Sequence, residues 1–346
     1  MCLDTSVKTE VVSLFGPEKQ SSEEFSNSPI TPICLNLQNF GRFRKYLVLY
    51  LWLKNQSDAV CFLHSIPVYR LFFALNFLPL LKVNSCYLVP VRHHNRIHQI
   101  ENSRKGKFLD WFFARCYKDW VAVSKSVKNC LTQIGVEESK IYVILNGLNI
   151  SSKHRHYSSP ANKFKILSIG RLDSNKNHIA QIRIAEILRR KELNFSIDIF
   201  GTGSKHQHDI LKFEIEKRNL QEFIFLKGYR SNLPQEFDNY DVLLHTAIDE
   251  ACPLVIIEGL LSCLPVVSSN AEGSLEILAN FYPTFAPDDF EGMAIELIRI
   301  HNNYFLALNH AQSILSIVNY DHSGDKMSRN YNTIARELTK KRVVKG

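Results

Sequence analysis

Two carboxylates, Glu250 and Glu258, bracket a stretch with no other charge: between Ala251 and Ala271 the only charged side chain is Glu258. It sits inside an apolar run, with Ile256 and Ile257 before it and Leu260, Leu261 and Leu264 after it. The pattern predicts a helix over 253–263, with Pro253 in the first turn, where its missing N–H costs nothing. A helix apolar on nearly every side is a buried helix, so Glu258 has no evident solvent face. Glutamate is rarely buried unless it is paired or bound to something. Glu258 therefore needs a partner, either from another segment or from a ligand.

Three neighbouring features narrow the ligand. Gly170-Arg171 closes an apolar strand pattern, and Lys176 follows five residues after the arginine. Gly201-Thr202-Gly203 closes the next strand pattern, where glycines let a ligand approach the backbone. Glu250 precedes a helix N-terminus, which favours an anion. Two cations and a helix dipole suit a diphosphate; two carboxylates suit sugar and ribose hydroxyls through charge-assisted hydrogen bonds. Plainer readings exist for most of them. Arg171 and Lys176 read equally as surface cations, Gly-x-Gly as a tight turn, and Glu250 as a helix-capping acid. Glu258 resists such a reading, because it would need a buried protein partner.

These residues require a scaffold that gathers strand ends. "FKILSIG" (164–170), "FSIDIFG" (195–201), "FIFLKG" (223–228), "DVLLHT" (241–246) and "PVVSS" (265–269) are short apolar strands alternating with helical segments. That alternation implies a parallel sheet covered on both faces. The result is a doubly wound, Rossmann-like α/β domain, which binds ligands at the carboxyl ends of its strands. The first half is similar in kind, with strand candidates at 9–15, 58–64, 85–91, 120–124 and 141–147. The polar stretch "ISSKHRHYSSPANK" (150–163) reads as a linker, and "KQSSEEFSNSP" (19–29) as a mobile loop. The expected division is 1–150, 151–320 and a C-terminal helix with a basic tail, 321–346.

At 346 residues the chain is long enough for two domains. Its eight cysteines are scattered singly, without the Cys or Cys/His spacing of a zinc or redox site, so a reducing cytosol is expected. No signal peptide is read at the N-terminus. The most apolar stretch, "LFFALNFLPLL" (71–81), is too short to span a bilayer and reads as a core helix. The net charge of +8 is uneven: residues 1–150 hold 18 Lys and Arg against 11 Asp and Glu. Nine basic and three acidic residues fall within 92–128, a patch suited to anionic lipid, a phosphorylated substrate or nucleic acid, or else a solvated basic helix.

"GRLDSNKN" followed by "EACPLVIIEGLLSCLPVVSSNAEGSLEIL" resembles the family-4 glycosyltransferases of the GT-B fold (glycosyl transferases group 1). The resemblance covers about 120–280 firmly, including "VAVSKSVK" and "VILNGLN", and the first 120 residues more loosely. It implies two Rossmann-like domains facing across a cleft. The implied reaction is retaining and metal-independent transfer from a nucleotide-diphospho-sugar, with no further cofactor. Glu258 would bind the ribose, Glu250 the donor sugar, and Arg171 with Lys176 the diphosphate. Gly170, Gly203, Pro253 and Leu254 would complete the nucleotide side. In "PVRHHNRIH" (90–98), His93, with His94 as second choice, would be the cleft-facing histidine near the sugar; a structural histidine is the other reading.

The sequence departs from the family pattern in three places. Cys263 stands where the family has glycine, and Glu272 replaces one glycine of a Gly-Gly pair. Only eight residues precede Thr9, so the first strand and glycine-rich loop of the N-terminal domain are expected to be missing and the domain incomplete. The expected role is assembly of cell-surface polysaccharide or lipopolysaccharide. The acceptor would be a glycan or lipid-linked molecule, and the enzyme cytoplasmic or peripheral on the inner membrane face, without nucleic acid as partner. The rivals are a nucleotide-sugar epimerase on the same fold and a non-catalytic nucleotide-binding remnant.

Overall fold

The computed structural model describes residues 10, 12–13, 33–35, 42–55, 59–64, 86–95, 104–150, 163–231 and 233–343. The expected loop at 19–29, the helix at 71–81 and most of the linker lie outside them, as does much of the strand at 9–15. Contacts divide the chain into two units. The first comprises Met1–Val123, Val127–Ile144 and Met327–Gly346; the second comprises Ser124–Ser126 and Leu145–Lys326.

In the first unit, β1 (Val12–Ser13) pairs in parallel with β2 (Ile33–Cys34). Helix α1 (Arg42–Lys54) precedes a parallel sheet of β3 (Ala59–Leu63), β4 (Cys86–Arg92), β5 (Trp120–Ala122) and β6 (Ile141–Val143), in that order. Helices α2 (Arg104–Cys116) and α3 (Lys125–Gln133) fall between the later strands. Val89, Val91, Trp120, Val121 and Ala122 are buried. The division expected at 150 and the separate 321–346 tail are redrawn by the contacts. From Met327 the chain groups with the first unit, where Tyr331 packs edge-on to Phe62 with ring centroids 4.8 Å apart.

The second unit holds a six-stranded sheet. Its strands are β7 (Phe164–Ile169), β8 (Phe195–Phe200), β9 (Ile224–Gly228), β10 (Val242–His245), β11 (Val266–Ser269) and β12 (Thr284–Phe285), ordered β12-β11-β10-β7-β8-β9. The ladders are parallel throughout. Among the helices between and after them are α4 (His178–Arg190), α5 (Lys205–Lys217), α6 (Leu254–Leu261), α7 (Glu272–Leu278) and α8 (Phe290–Asn302). The strands are mostly apolar on both sides because both sheet faces are covered. Ile166, Val242, Leu244 and Val267 enter a core with α4 and α8; Leu167, Leu243 and Val266 enter another with α6. Successive strand side chains point to opposite faces, so two cores call for apolar residues on both sides of a strand. Strand β7 comes first in this unit yet lies between β10 and β8, so the order reverses between β7 and β10. In open α/β sheets ligands bind at such a reversal.

Candidate active site

The loops after β7 and β10 flank that reversal and are tied to each other. Asn175 donates its side-chain amide to the Asp249 carbonyl (2.8 Å), and the Ile248 N–H returns to the Asn175 carbonyl (2.8 Å). Asp173 Oδ1 accepts from the Lys176 N–H (3.0 Å), closing a one-turn 3-10 helix over Ser174–Lys176. Asn177 then adopts a left-handed conformation (φ 52°) that turns the chain into α4. Asparagine tolerates this region better than most residues. Beneath the loops the Gln181 amide donates to Ser168 Oγ (2.7 Å) and to Thr246 Oγ1 (3.0 Å). Thr246 directs its hydroxyl between the carbonyls of Lys176 and Asn177, at 3.1 Å from each. A satisfied buried network of this kind holds loop backbones rigidly.

This framework brings Lys176 and Glu250 together. The Lys176 ammonium donates to Glu250 Oε1, with side chains 18% and 15% exposed. Gly170 makes room for the lysine stem, since a Cβ there would lie 3.2 Å from Lys176 Cγ and Cδ. Arg171 points outward, 70% exposed, with its guanidinium 3.1 Å from Asp173 Oδ2. The glycines after β8 serve a purpose the sequence does not announce. Gly201 has φ 144°, and a Cβ there would sit 1.9 Å from the Gly170 carbonyl oxygen. One on Gly203 would sit 2.2 Å from that of Leu172. Their close neighbour is therefore the β7 loop.

Glu258 lies in the second turn of α6, half-buried, and its carboxylate has no hydrogen-bond or ion-pair partner among the described residues. Burial alone raises its pKa above the usual glutamate value. Pro253 is the buried N-cap of α6, no side chain caps the helix, and Leu254 is exposed. Gly273 donates its N–H to the Glu250 carbonyl (2.8 Å) and has no room for a Cβ, which would meet the Ala251 carbonyl at 2.5 Å. The glycine kept from the expected Gly-Gly pair is thus the one that sterics demand. Glu272, in the other position, is exposed at the start of α7. Cys263 occupies the left-handed conformation (φ 53°) that ends α6, and its side chain fills the core beside that helix.

In the first unit, His93 follows β4 with Nε2 3.1 Å from Nδ1 of His64, which follows β3. Burial, then the His64 and His94 rings, push the pKa of His93 down to about 4. His94 is exposed, and its carbonyl accepts from the Arg92 guanidinium (3.0 Å). Sequence reading missed His64, and in the second unit it missed Asn175, Gln181 and His245. Of these, Asn175 and His245 carried a signal, since both stand at or just beyond strand ends on the two loops.

The family described as glycosyl transferases group 1 matches residues 149–310. The match falls within the second unit. The poly(glycerol-phosphate) alpha-glucosyltransferase of Bacillus subtilis is 22% identical over 90% of this chain and 43% of its own length. The UDP-Gal:alpha-D-GlcNAc-diphosphoundecaprenol alpha-1,3-galactosyltransferase of Escherichia coli is 25% identical over 55% of this chain and 50% of its own. The chain thus spans about half the length of these curated relatives. Anabaena Alr3699/HepE, solved with UDP-glucose, superposes with a TM-score of 0.76 over 93% of this chain and 88% of that one, at 17% identity. A glycosyltransferase from Rickettsia africae gives 0.74 over 94% and 89%, at 22% identity. At such identities the likeness is one of fold: the chain has the GT-B fold, built of two Rossmann-like units. In the second unit, Arg171, Lys176, Glu250 and Glu258 all stand on the two loops or on the helix that follows them.

Proposed function

We propose that this chain is a retaining, metal-independent glycosyltransferase of cell-surface polysaccharide or lipopolysaccharide synthesis. It would move a sugar from a nucleotide-diphospho-sugar to a glycan or lipid-linked acceptor. The observation that carries the reading is Glu258, a half-buried carboxylate without a partner among the described residues, on the helix after β10, one of the two strands at the sheet's reversal. Ribose hydroxyls would supply the donors it lacks. Lys176 and Arg171 would meet the diphosphate, together with the N–H groups at the start of α6. Glu250 would accept from donor-sugar hydroxyls, with His93 near the same sugar. As the sugar–phosphate bond breaks, its electron pair leaves with the diphosphate, and these cations and amides stabilise the charge. A relative named for UDP-galactose and a structural neighbour solved with UDP-glucose make UDP-sugars the first donors to try.

No helix among the described residues is long and apolar enough to cross a membrane. The enzyme would work in the cytoplasm, peripherally on the inner membrane face. On α2, Phe108 and Trp111 are exposed and stacked at 5.8 Å, with Arg115 over the Trp111 ring at 4.1 Å. An aromatic face with a cation suits an anionic lipid interface, and salt-sensitive sedimentation with anionic vesicles tests it. The enzymatic reading is tested by incubating the chain with UDP-sugars, with and without an acceptor extract, in EDTA, and reading the product's anomeric configuration by NMR. Sugar released as an epimer without acceptor would make the chain an epimerase. Binding without any turnover would make it a nucleotide-binding protein.

A further inference from the structure

His245, the last residue of β10, is left unexplained by the Lys176–Glu250 pair. It is 3% exposed, and its Nε2 has no hydrogen-bond partner among the described residues. That nitrogen stands 3.8 Å from Glu250 Oε1, the oxygen to which the Lys176 ammonium donates. Buried polar atoms are paired as a rule, and an exception calls for a reason. Here the reason is a second arrangement within reach.

Resting on the donor-binding reading of this site, we propose that His245 is a positioning residue for Glu250. When Lys176 turns its ammonium to a donor diphosphate, the His245 Nε2–H takes its place on Glu250 Oε1. The carboxylate is then held toward the sugar hydroxyls.

The surroundings fit such an exchange. The Lys176 backbone is held on both sides, by Asp173 Oδ1 on its N–H (3.0 Å) and by Thr246 Oγ1 on its carbonyl (3.1 Å). On the lysine, the side chain alone has to move. The Glu250 backbone is held by the Gly273 N–H on its carbonyl (2.8 Å). Oε1 therefore needs to travel only about 1 Å to reach hydrogen-bond distance from Nε2. Burial, then the nearby charge of Lys176 and the ring of His178, lower the His245 pKa to about 3, so the imidazole is a neutral donor at pH 7. A neutral donor can hold Glu250 without competing with Lys176 for the diphosphate.

The test compares the full chain with His245→Leu and His245→Gln, each checked for a cooperative melt. Calorimetry with UDP and with UDP-glucose, UDP-galactose and UDP-N-acetylglucosamine gives the affinity gained from the sugar; hydrolysis of the same donors gives kcat. The leucine variant should bind UDP within twofold of the parent, lose the gain from the sugar, and fall at least tenfold in kcat. Glutamine, whose amide N–H can replace Nε2–H, should restore most of both. In a Glu250→Gln background, His245→Leu should add nothing. Should the leucine variant not fold, His245→Asn decides, because its shorter amide folds as a polar group but falls short of Oε1 and must lose the sugar gain. A folded leucine or asparagine variant with parental sugar gain and kcat overturns this inference alone. So does a folded glutamine variant no better than leucine. A parent chain that binds neither UDP nor any UDP-sugar overturns the donor-site reading, and this inference with it.

Discussion

Glu250 and Glu258 open and interrupt the same apolar segment, yet the fold meets their charges differently. Glu250 stands in the loop ahead of α6 and receives the Lys176 ammonium; Glu258, two turns into α6, receives nothing from the described protein. A ligand reaching Glu250 must exchange with an existing ion pair. A ligand reaching Glu258 supplies a missing partner. The first arrangement couples binding to rearrangement, and the second stores an unmet hydrogen-bonding demand in a folded core.

The sharpest way to break this contrast is Glu258→Leu. It should weaken UDP binding roughly 10- to 150-fold, the loss of a charged hydrogen bond of about 1.5–3 kcal/mol. The melting temperature should hold or rise, because no hydrogen bond or ion pair among the described residues is lost. Calorimetry beside a thermal melt decides, and unchanged affinity would remove the ribose role. The pH dependence has a definite sign. The folded-state pKa of Glu258 is raised above its ordinary 4.5, so the native form holds the proton longer than the unfolded chain. Its contribution to stability is full below pH 4.5 and is lost as pH rises through the raised value. Glu258→Gln should flatten that part of the stability profile, while UDP affinity of the parent should fall as the carboxylate is protonated.

Lys176→Ala should do what Glu258→Leu does not and destabilise the fold. It leaves a partly buried carboxylate without its cation, a loss of about 1–3 kcal/mol, moderated by the remaining exposure of the pair. Lys176→Ala with Glu250→Ala should lose less stability than the two single changes summed, which a double-mutant cycle by urea denaturation measures. The single variant should also weaken UDP more than uridine. Equal losses would show that Lys176 does not meet the phosphates.

His93→Ala should lower transfer about tenfold or more while UDP affinity stays within twofold. With a pKa near 4, His93 is neutral across pH 5–8 and should place no inflection near 6.5 in the rate profile. A depressed histidine binds fewer protons in the folded state than in the unfolded one. Native stability therefore falls as pH drops from 6.5 toward 4, and His93→Ala should remove that loss. Arg171→Ala should have the smallest effect on stability, within about 0.5 kcal/mol, since an exposed pair with Asp173 contributes little. Its effect belongs to diphosphate affinity, where a few-fold loss is expected.

Much of the second unit was legible in the order of residues. Its first five strands fall within a residue or two of the segments read from apolar runs, because a strand covered on both faces needs apolar residues on both sides and so reads as a short, mostly apolar stretch. The short strand Thr284–Phe285 passed unread, since two residues make no pattern. The first unit was less legible. Its last helix is polar along much of its length, and nothing local says that Tyr331 packs on Phe62, more than 250 residues earlier.

Residue types and spacing alone determined that Glu258 is a carboxylate inside an apolar helix, and that glycines, cations and a second glutamate close the neighbouring strands. Those follow from periodicity and composition, which are properties of short segments. Tertiary structure decided which of these groups meet. It joined Lys176 to Glu250, turned Arg171 outward, pressed Gly201 and Gly203 against the β7 loop, and left Glu258 without a partner among the described residues. It also set His245 behind the ion pair with an unsatisfied nitrogen. These contacts depend on the reversal of strand order between β7 and β10, which places loops more than 70 residues apart side by side. Local pattern sets which side chains are available, but distances between them are a property of the packed sheet.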